Sequence, residues 1–166
     1  IMVMTSQPST GSLQEEVQKI KEQGYSHIIG LPIATGLSST MNGMKLACDM
    51  LEMPVTLVDT KGTASNQKYL VEVAAKLAGE GKSPEEIKEI LEKLVEDSAT
   101  IIMVPNLEHL KKGGRITPAV ATLAGLLKIV PIMKLNYDLG GKIDTFGKVR
   151  TAKTANLKII DHMVND

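Results

Sequence analysis

Four hydroxyl side chains, Thr35, Ser38, Ser39 and Thr40, fall within the stretch LPIATGLSSTMNGMKLACDM at residues 31–50. An apolar run precedes them and a helical pattern follows, so they sit where a strand hands over to a helix. In an open α/β sheet ligands gather at the carboxyl ends of the strands. A helix start there offers unpaired N–H groups and the positive end of a dipole, which stabilise a carboxylate or a phosphate. Capping of the helix by Ser38 or Ser39 accounts for the same hydroxyls with nothing bound. Two further stretches add polar groups: TSQPS at residues 5–9, with hydroxyls, an amide and a rigid proline, and LKKGGRITPAVATLAGLLKIVPIM, where a basic loop leads into a long apolar segment of small residues.

Other chemistry is poorly supported. In GEGKSPEE, Gly81, Lys82 and Ser83 match the end of a nucleotide-binding loop, but its leading glycine falls on Lys76. Ser83 as a cap, Pro84 at the first helical position and Glu86 closing the box explain the same residues as a helix start. A serine nucleophile wants G-x-S-x-G, and TGLSST lacks the second glycine. A small-molecule phosphotransferase or hydrolase built on the Ser38 hydroxyl cluster stays open as the alternative to a binding protein. His27, His109 and His162 stand without a second ligand-type residue at metal spacing, so no metal site is expected. Cys48 is the only cysteine, which excludes an internal disulfide.

The elements that must position these residues alternate. STGSLQEEVQKIKEQGY places Ser12 three residues before Glu15, a capping-box spacing, with Leu13, Val17 and Ile20 on one face and Gly24 as a stop. HIIGLPI reads as a buried strand, SSTMNGMKLACDMLEM as a helix ended before Pro54, and VTLVDT as a second strand. Strand, helix, strand predicts a parallel sheet flanked by helices, the α/β class. Helices over ASNQKYLVEVAAKLAGEG and SPEEIKEILEKLVED follow, then a strand at ATIIMVP and a short helix at NLEHLKK stopped by Gly113 and Gly114. A helix at TPAVATLAGLLKI precedes VPIMKLNYDLGGKIDTFGKV, which reads as two strands around a glycine turn. The change of pattern predicts two parts, an α/β domain over 1–110 and the start of a smaller α+β domain over 111–166.

Composition limits the partners. Lys plus Arg and Asp plus Glu number 19 each, so no bulk field draws the chain to nucleic acid or to an anionic membrane. One Phe, three Tyr and no Trp leave few stacking platforms for single strands. No apolar run approaches a membrane span, and IMVMTSQPST lacks the basic and apolar regions of a signal peptide, so a cytoplasmic location is expected. Nine Met is a high count, serving either core filling or a flexible apolar lining.

TSQPS, ATGLSST, VDT, LEHLKKGGRIT and KVRTA, in this order, resemble the motifs of the DegV family of bacterial lipid-binding proteins, which includes the fatty-acid-binding subunits of fatty acid kinase. The resemblance runs over essentially the whole chain and implies an internal segment of a longer protein, with a first strand before it and the rest of the second domain after it. It implies a fatty acid buried between domains as the bound ligand, no cofactor, and no catalysis by this chain alone. By resemblance Thr5 and Ser38 bind the carboxylate, and the helix-start groups at Ser39 and Thr40 add to them. Met41, Met44, Met103 and Met133 are plausible tail lining. An ATP-dependent kinase partner would phosphorylate the presented carboxylate, with Arg150 in KVRTA, and Arg115 in KKGGRI, as contacts to the partner or the phosphoryl group. The family's S-S-x-L-S-G-T reads A-T-G-L-S-S-T here, with Ala34 lacking a hydroxyl and Ser39 standing for a glycine.

Overall fold

The computed structural model describes residues 5–104, 107–122 and 129–165. In chain order it contains α1 (Thr10–Glu22), β1 (Ile28–Gly30), α2 (Thr40–Met50), β2 (Val55–Leu57), α3 (Ala64–Gly79), α4 (Pro84–Glu96), β3 (Ala99–Met103), α5 (Glu108–Gly113), α6 (Pro118–Ala121), β4 (Val130–Asn136), β5 (Asp144–Val149) and α7 (Ala152–Asn165). Residues 123–128 of the helix expected at TPAVATLAGLLKI lie outside the described residues.

The helix starts follow local chemistry. At α4 the expected box is present in full: Glu86 N–H donates to Ser83 Oγ at 3.2 Å, and Ser83 N–H donates to the Glu86 carboxylate at 2.8 Å. That reciprocal bonding lowers the Glu86 pKa, helped by nearby Lys82. Helix α1 corrects the expected Ser12 and Glu15 box. Its cap is Ser9, in an extended backbone conformation, whose Oγ accepts the Ser12 N–H at 3.1 Å. A serine already extended after Pro8 reaches an N–H three residues on, so the helix starts earlier than the Ser12 spacing implied.

Two sheets result. β1 and β2 pair in parallel, with Ile28 opposite Val55 and Gly30 opposite Leu57. This is the βαβ arrangement that the alternation predicts. β3, β4 and β5 form an antiparallel sheet in that order. The β3 to β4 ladder therefore joins residues on either side of position 110. α6 opens with the hydroxyl-then-proline start, Val120 N–H donating to Thr117 Oγ1 at 3.3 Å.

Among the described residues three apolar cores hold these pieces. Leu70 and Ala74 of α3 meet Ile87, Leu91 and Val95 of α4 over Leu31 and Val58, the residues that follow β1 and β2. Spacings of four residues put each set on one helix face. α1 and α2 enclose Val17, Ala47, Cys48 and Met53. Burial, then the nearby Asp49, pushes the Cys48 thiol up, so it stays protonated at neutral pH. The third core gathers Ala34, Leu107, Val120, Met133, Leu135 and Ile143. Ala34 thereby ties the segment after β1 to the antiparallel sheet.

Candidate functional site

Between β1 and α2 the chain makes a turn that the expected hydroxyls share. The Ala34 carbonyl accepts the N–H groups of Leu37 at 2.9 Å and Ser38 at 3.2 Å. Ser38 Oγ then lies 2.7 Å from Thr40 Oγ1 and accepts the Thr40 N–H at 3.3 Å. Ser39 occupies the cap position of α2 but makes no side-chain cap bond. Of the two serines expected to cap the helix, Ser39 holds the cap position without a cap bond, and Ser38, one residue earlier, bonds the first helical N–H at Thr40.

A cleft of about 540 Å³ opens at this helix start. Thr5, Ser6 and Gln7 form one wall, Thr35 to Ser39 the floor, and Gly113, Gly114 and Arg115 the other wall. Thr5, Ser38, Ser39 and Arg115, drawn from three distant stretches of sequence, thus converge on one polar space. Arg115 donates from Nε to the Leu37 carbonyl at 3.4 Å and from a terminal nitrogen to the Gly113 carbonyl. Among the described residues no carboxylate pairs with it, so the guanidinium charge is available to an anion. With the α2 dipole it makes the cleft electropositive. Thr40 stands behind Ser38, not on the cleft wall. Arg150 is separate from the cleft, exposed at the end of β5 just before Thr151, whose Oγ1 accepts the Thr154 N–H at the start of α7.

The floor is held by Asp59, a residue that the hydroxyl pattern does not single out. Its carboxylate accepts from the Thr35 N–H at 3.1 Å, the Thr35 hydroxyl, the Lys61 N–H at 3.1 Å and Lys61 Nζ at 2.7 Å. Burial alone would push the Asp59 carboxyl up, but the bonds from Lys61 and Thr35 together outweigh it and hold the carboxyl below its ordinary value. The folded state therefore favours the ionised form. The resulting stability is complete above the ordinary value of 3.8 and is lost as the pH falls through the lower folded value. Urea unfolding followed from about pH 5 to about pH 3 is expected to show a smaller loss in Asp59→Asn than in the parent chain. Equal losses would show that Asp59 contributes nothing to acid sensitivity.

The remaining expectations fall as follows. Met133 is fully buried in the third core, and Met44 packs onto Gly30 of β1. Met41 and Met103 are half-buried, and none of the four lines the polar cleft. His27 bonds to Thr56 Oγ1 at 2.9 Å, and His162 stacks on Phe146 with ring centres 4.7 Å apart. Ser38 Oγ has Thr40 as its partner, and among the described residues no histidine, carboxylate or amine bonds to it. Its hydroxyl lines the cleft without an adjacent base of the kind a nucleophile needs among the described residues. Among the described residues no helix is long and apolar enough to cross a membrane.

Fold and cleft together define an α/β protein with a polar cleft at the start of a helix. The family profile described as uncharacterised protein, DegV family, matches residues 1–166, and the chain belongs to the DegV family. A DegV domain-containing protein of Streptococcus pneumoniae is 34% identical over 158 residues, covering 95% of this chain and 55% of its own length. The chain spans about half the length of the curated relatives it matches. Among solved structures, a Thermotoga maritima protein described as revealing fatty acid binding function superposes with a TM-score of 0.84 at 28% identity, over 100% of this chain and 56% of that one. A fatty acid binding DegV family protein of Streptococcus agalactiae gives a TM-score of 0.82 at 32% identity, over 97% of this chain and 58% of that one.

Proposed function

We propose that this chain binds one long-chain fatty acid and presents its carboxylate to an ATP-dependent fatty acid kinase partner for phosphorylation. The observation that carries the reading is the convergence of Thr5, Ser38, Ser39 and Arg115 on one electropositive cleft at the start of α2. Solved relatives described as fatty acid binding supply the ligand class. In this reading Thr5 and Ser38 hydrogen-bond the carboxylate, Ser39 and the positive end of the α2 dipole complete the anion site, and Thr40 acts from behind by holding Ser38. Arg115 offsets the negative charge, which increases as the acyl phosphate forms. Each tail methylene buried contributes about 0.8 kcal/mol, so the tail supplies most of the affinity and the cleft supplies orientation. The cleft then lies where a head-group domain, 1–110, meets the second domain beginning at 111, since Arg115 comes from the latter. In this reading catalysis resides in the partner, and both proteins act in the cytoplasm.

Native mass spectrometry of the purified protein, with extraction and identification of whatever co-purifies, tests the reading. A stoichiometric fatty acid is the expected result. A protein that emerges empty and takes up no added oleate would end it. Thr5→Ala and Ser38→Ala are each expected to weaken oleate binding by about 1.5–3 kcal/mol, the worth of a desolvated hydrogen bond to a charged group. Undiminished affinity in the double variant removes the head-group assignment. Arg150, exposed and away from the cleft, serves the partner: Arg150→Ala is expected to leave oleate affinity unchanged and to slow partner-dependent phosphorylation. Loss of oleate binding in that variant would instead put Arg150 in the ligand site.

A further inference from the structure

Residues 59–62 grip the segment that carries Ser38 at successive points. The fully buried Thr60 hydroxyl donates to the Pro32 carbonyl at 2.8 Å, and the Ala34 N–H donates to the Gly62 carbonyl at 2.9 Å. Asp59 takes both the N–H and the hydroxyl of Thr35. The Ala34 carbonyl, next to these fixed points, receives the Leu37 and Ser38 N–H groups and closes the turn. The turn in turn aims the Leu37 carbonyl at Arg115 Nε and sets Ser38 on the cleft.

A carboxylate beneath an anion site would repel the anion unless its charge were matched. Lys61 Nζ, 2.7 Å from Asp59, matches it in a sheltered pair whose side chains are 23% and 15% exposed, lysine first. We infer that Asp59 is a positioning residue for the head-group site: without touching the ligand, it sets the Thr35 to Ser38 turn in the one form that brings Ser38 and Arg115 to the same cleft, while Lys61 cancels its charge. The affinity part of this inference rests on the fatty-acid reading above. The conformational part does not.

The test compares the parent chain with Asp59→Asn, Thr35→Val and Val17→Ala, by oleate titration and by amide exchange in ¹H–¹⁵N spectra. Val17 is buried in the core between α1 and α2 and lines no part of the cleft, so its variant supplies destabilisation without site damage. Asp59→Asn and Thr35→Val are each expected to weaken oleate binding on the order of tenfold and to speed exchange at Leu37 and Ser38 by a similar factor. Val17→Ala, at a comparable loss of melting temperature, is expected to change neither. The double variant should lose no more affinity than the weaker-binding single one, because both changes act on one bond pair. Unchanged affinity and exchange in folded Asp59→Asn, or equal effects in Val17→Ala, overturn the inference. Should Asp59→Asn fail to fold, the exchange rates at Leu37 and Ser38 in Thr35→Val decide, since Thr35 lines the cleft and its affinity alone does not separate positioning from ligand contact. Should the parent chain take up no oleate, the fatty-acid reading fails by itself, and the exchange rates at Leu37 and Ser38 alone decide the positioning role.

Discussion

Leu91→Ala is expected to lower the unfolding free energy by about 2–5 kcal/mol, seen as a drop in the urea midpoint with the slope unchanged. Leu91 is fully buried at the centre of α4, flanked one turn away on each side by Ile87 and Val95. Its side chain fills the space between α3 and the strand ends at Leu31 and Val58, a site enclosed on every side and unable to collapse cheaply. Total stabilities of domains this size run to about 5–15 kcal/mol, so the change removes a large share. The consequence reaches the cleft because Leu31 leads directly into Pro32 to Ser39 and Val58 directly into Asp59 to Gly62. Both segments of the head-group floor are thus rooted in the core that Leu91 fills. A loss below about 1 kcal/mol would mean that α4 does not close this core.

Much of this arrangement was legible in the sequence where the signal is local. The strand, helix, strand order around residues 28–57 implied parallel pairing, and β1 and β2 pair so. Ser83, Pro84 and Glu86 announced a helix start, and the box is present in full. The glycine turn between residues 130 and 149 marked a hairpin, which β4 and β5 form. The hydroxyls at Ser38 and Ser39 were legible as a group because a strand, a glycine and a helix start bracket them.

What the sequence left open depends on contacts between distant residues. The Ser12 to Glu15 spacing suggested one cap, and the extended backbone at Ser9, which a local spacing does not reveal, makes Ser9 the cap instead. A short apolar run such as ATIIM carries no mark of its partner, so its antiparallel pairing with β4 could not be read from alternation. Asp59 looked like part of a family motif, but its grip on Thr35, 24 residues away in sequence, appears only when the ends of β1 and β2 lie side by side. Met133 shows the same limit from the apolar side. Its type suits a lipid lining as well as a core, and full burial among Leu107, Leu135 and Ile143 assigns it to packing.

The contact that depends most on distant residues also gives the second large effect: Gly141→Val is expected to lower stability by at least about 3 kcal/mol and to weaken oleate binding with it. Gly141, in the β4 to β5 turn, has φ +71°, where a side chain is strained by itself. A Cβ there would also lie 2.8 Å from Ala34 Cβ and 3.3 Å from Lys61 Cα. Neither neighbour yields easily, since Ala34 is fully buried and Lys61 is fixed by its bonds to Asp59. The opposite side of the contact is equally close, because a Cβ on Gly36 would run into the Gly141 backbone. The turn therefore docks, backbone to backbone, on the segment that forms the cleft floor. Gly140→Val separates the two causes. Gly140 shares the left-handed backbone, φ +62°, but a Cβ there meets open space, so its loss should be only about 1–2 kcal/mol with oleate affinity unchanged. The excess in Gly141→Val then measures the docking itself, and equal losses in the two variants would show that the antiparallel sheet does not brace the head-group site.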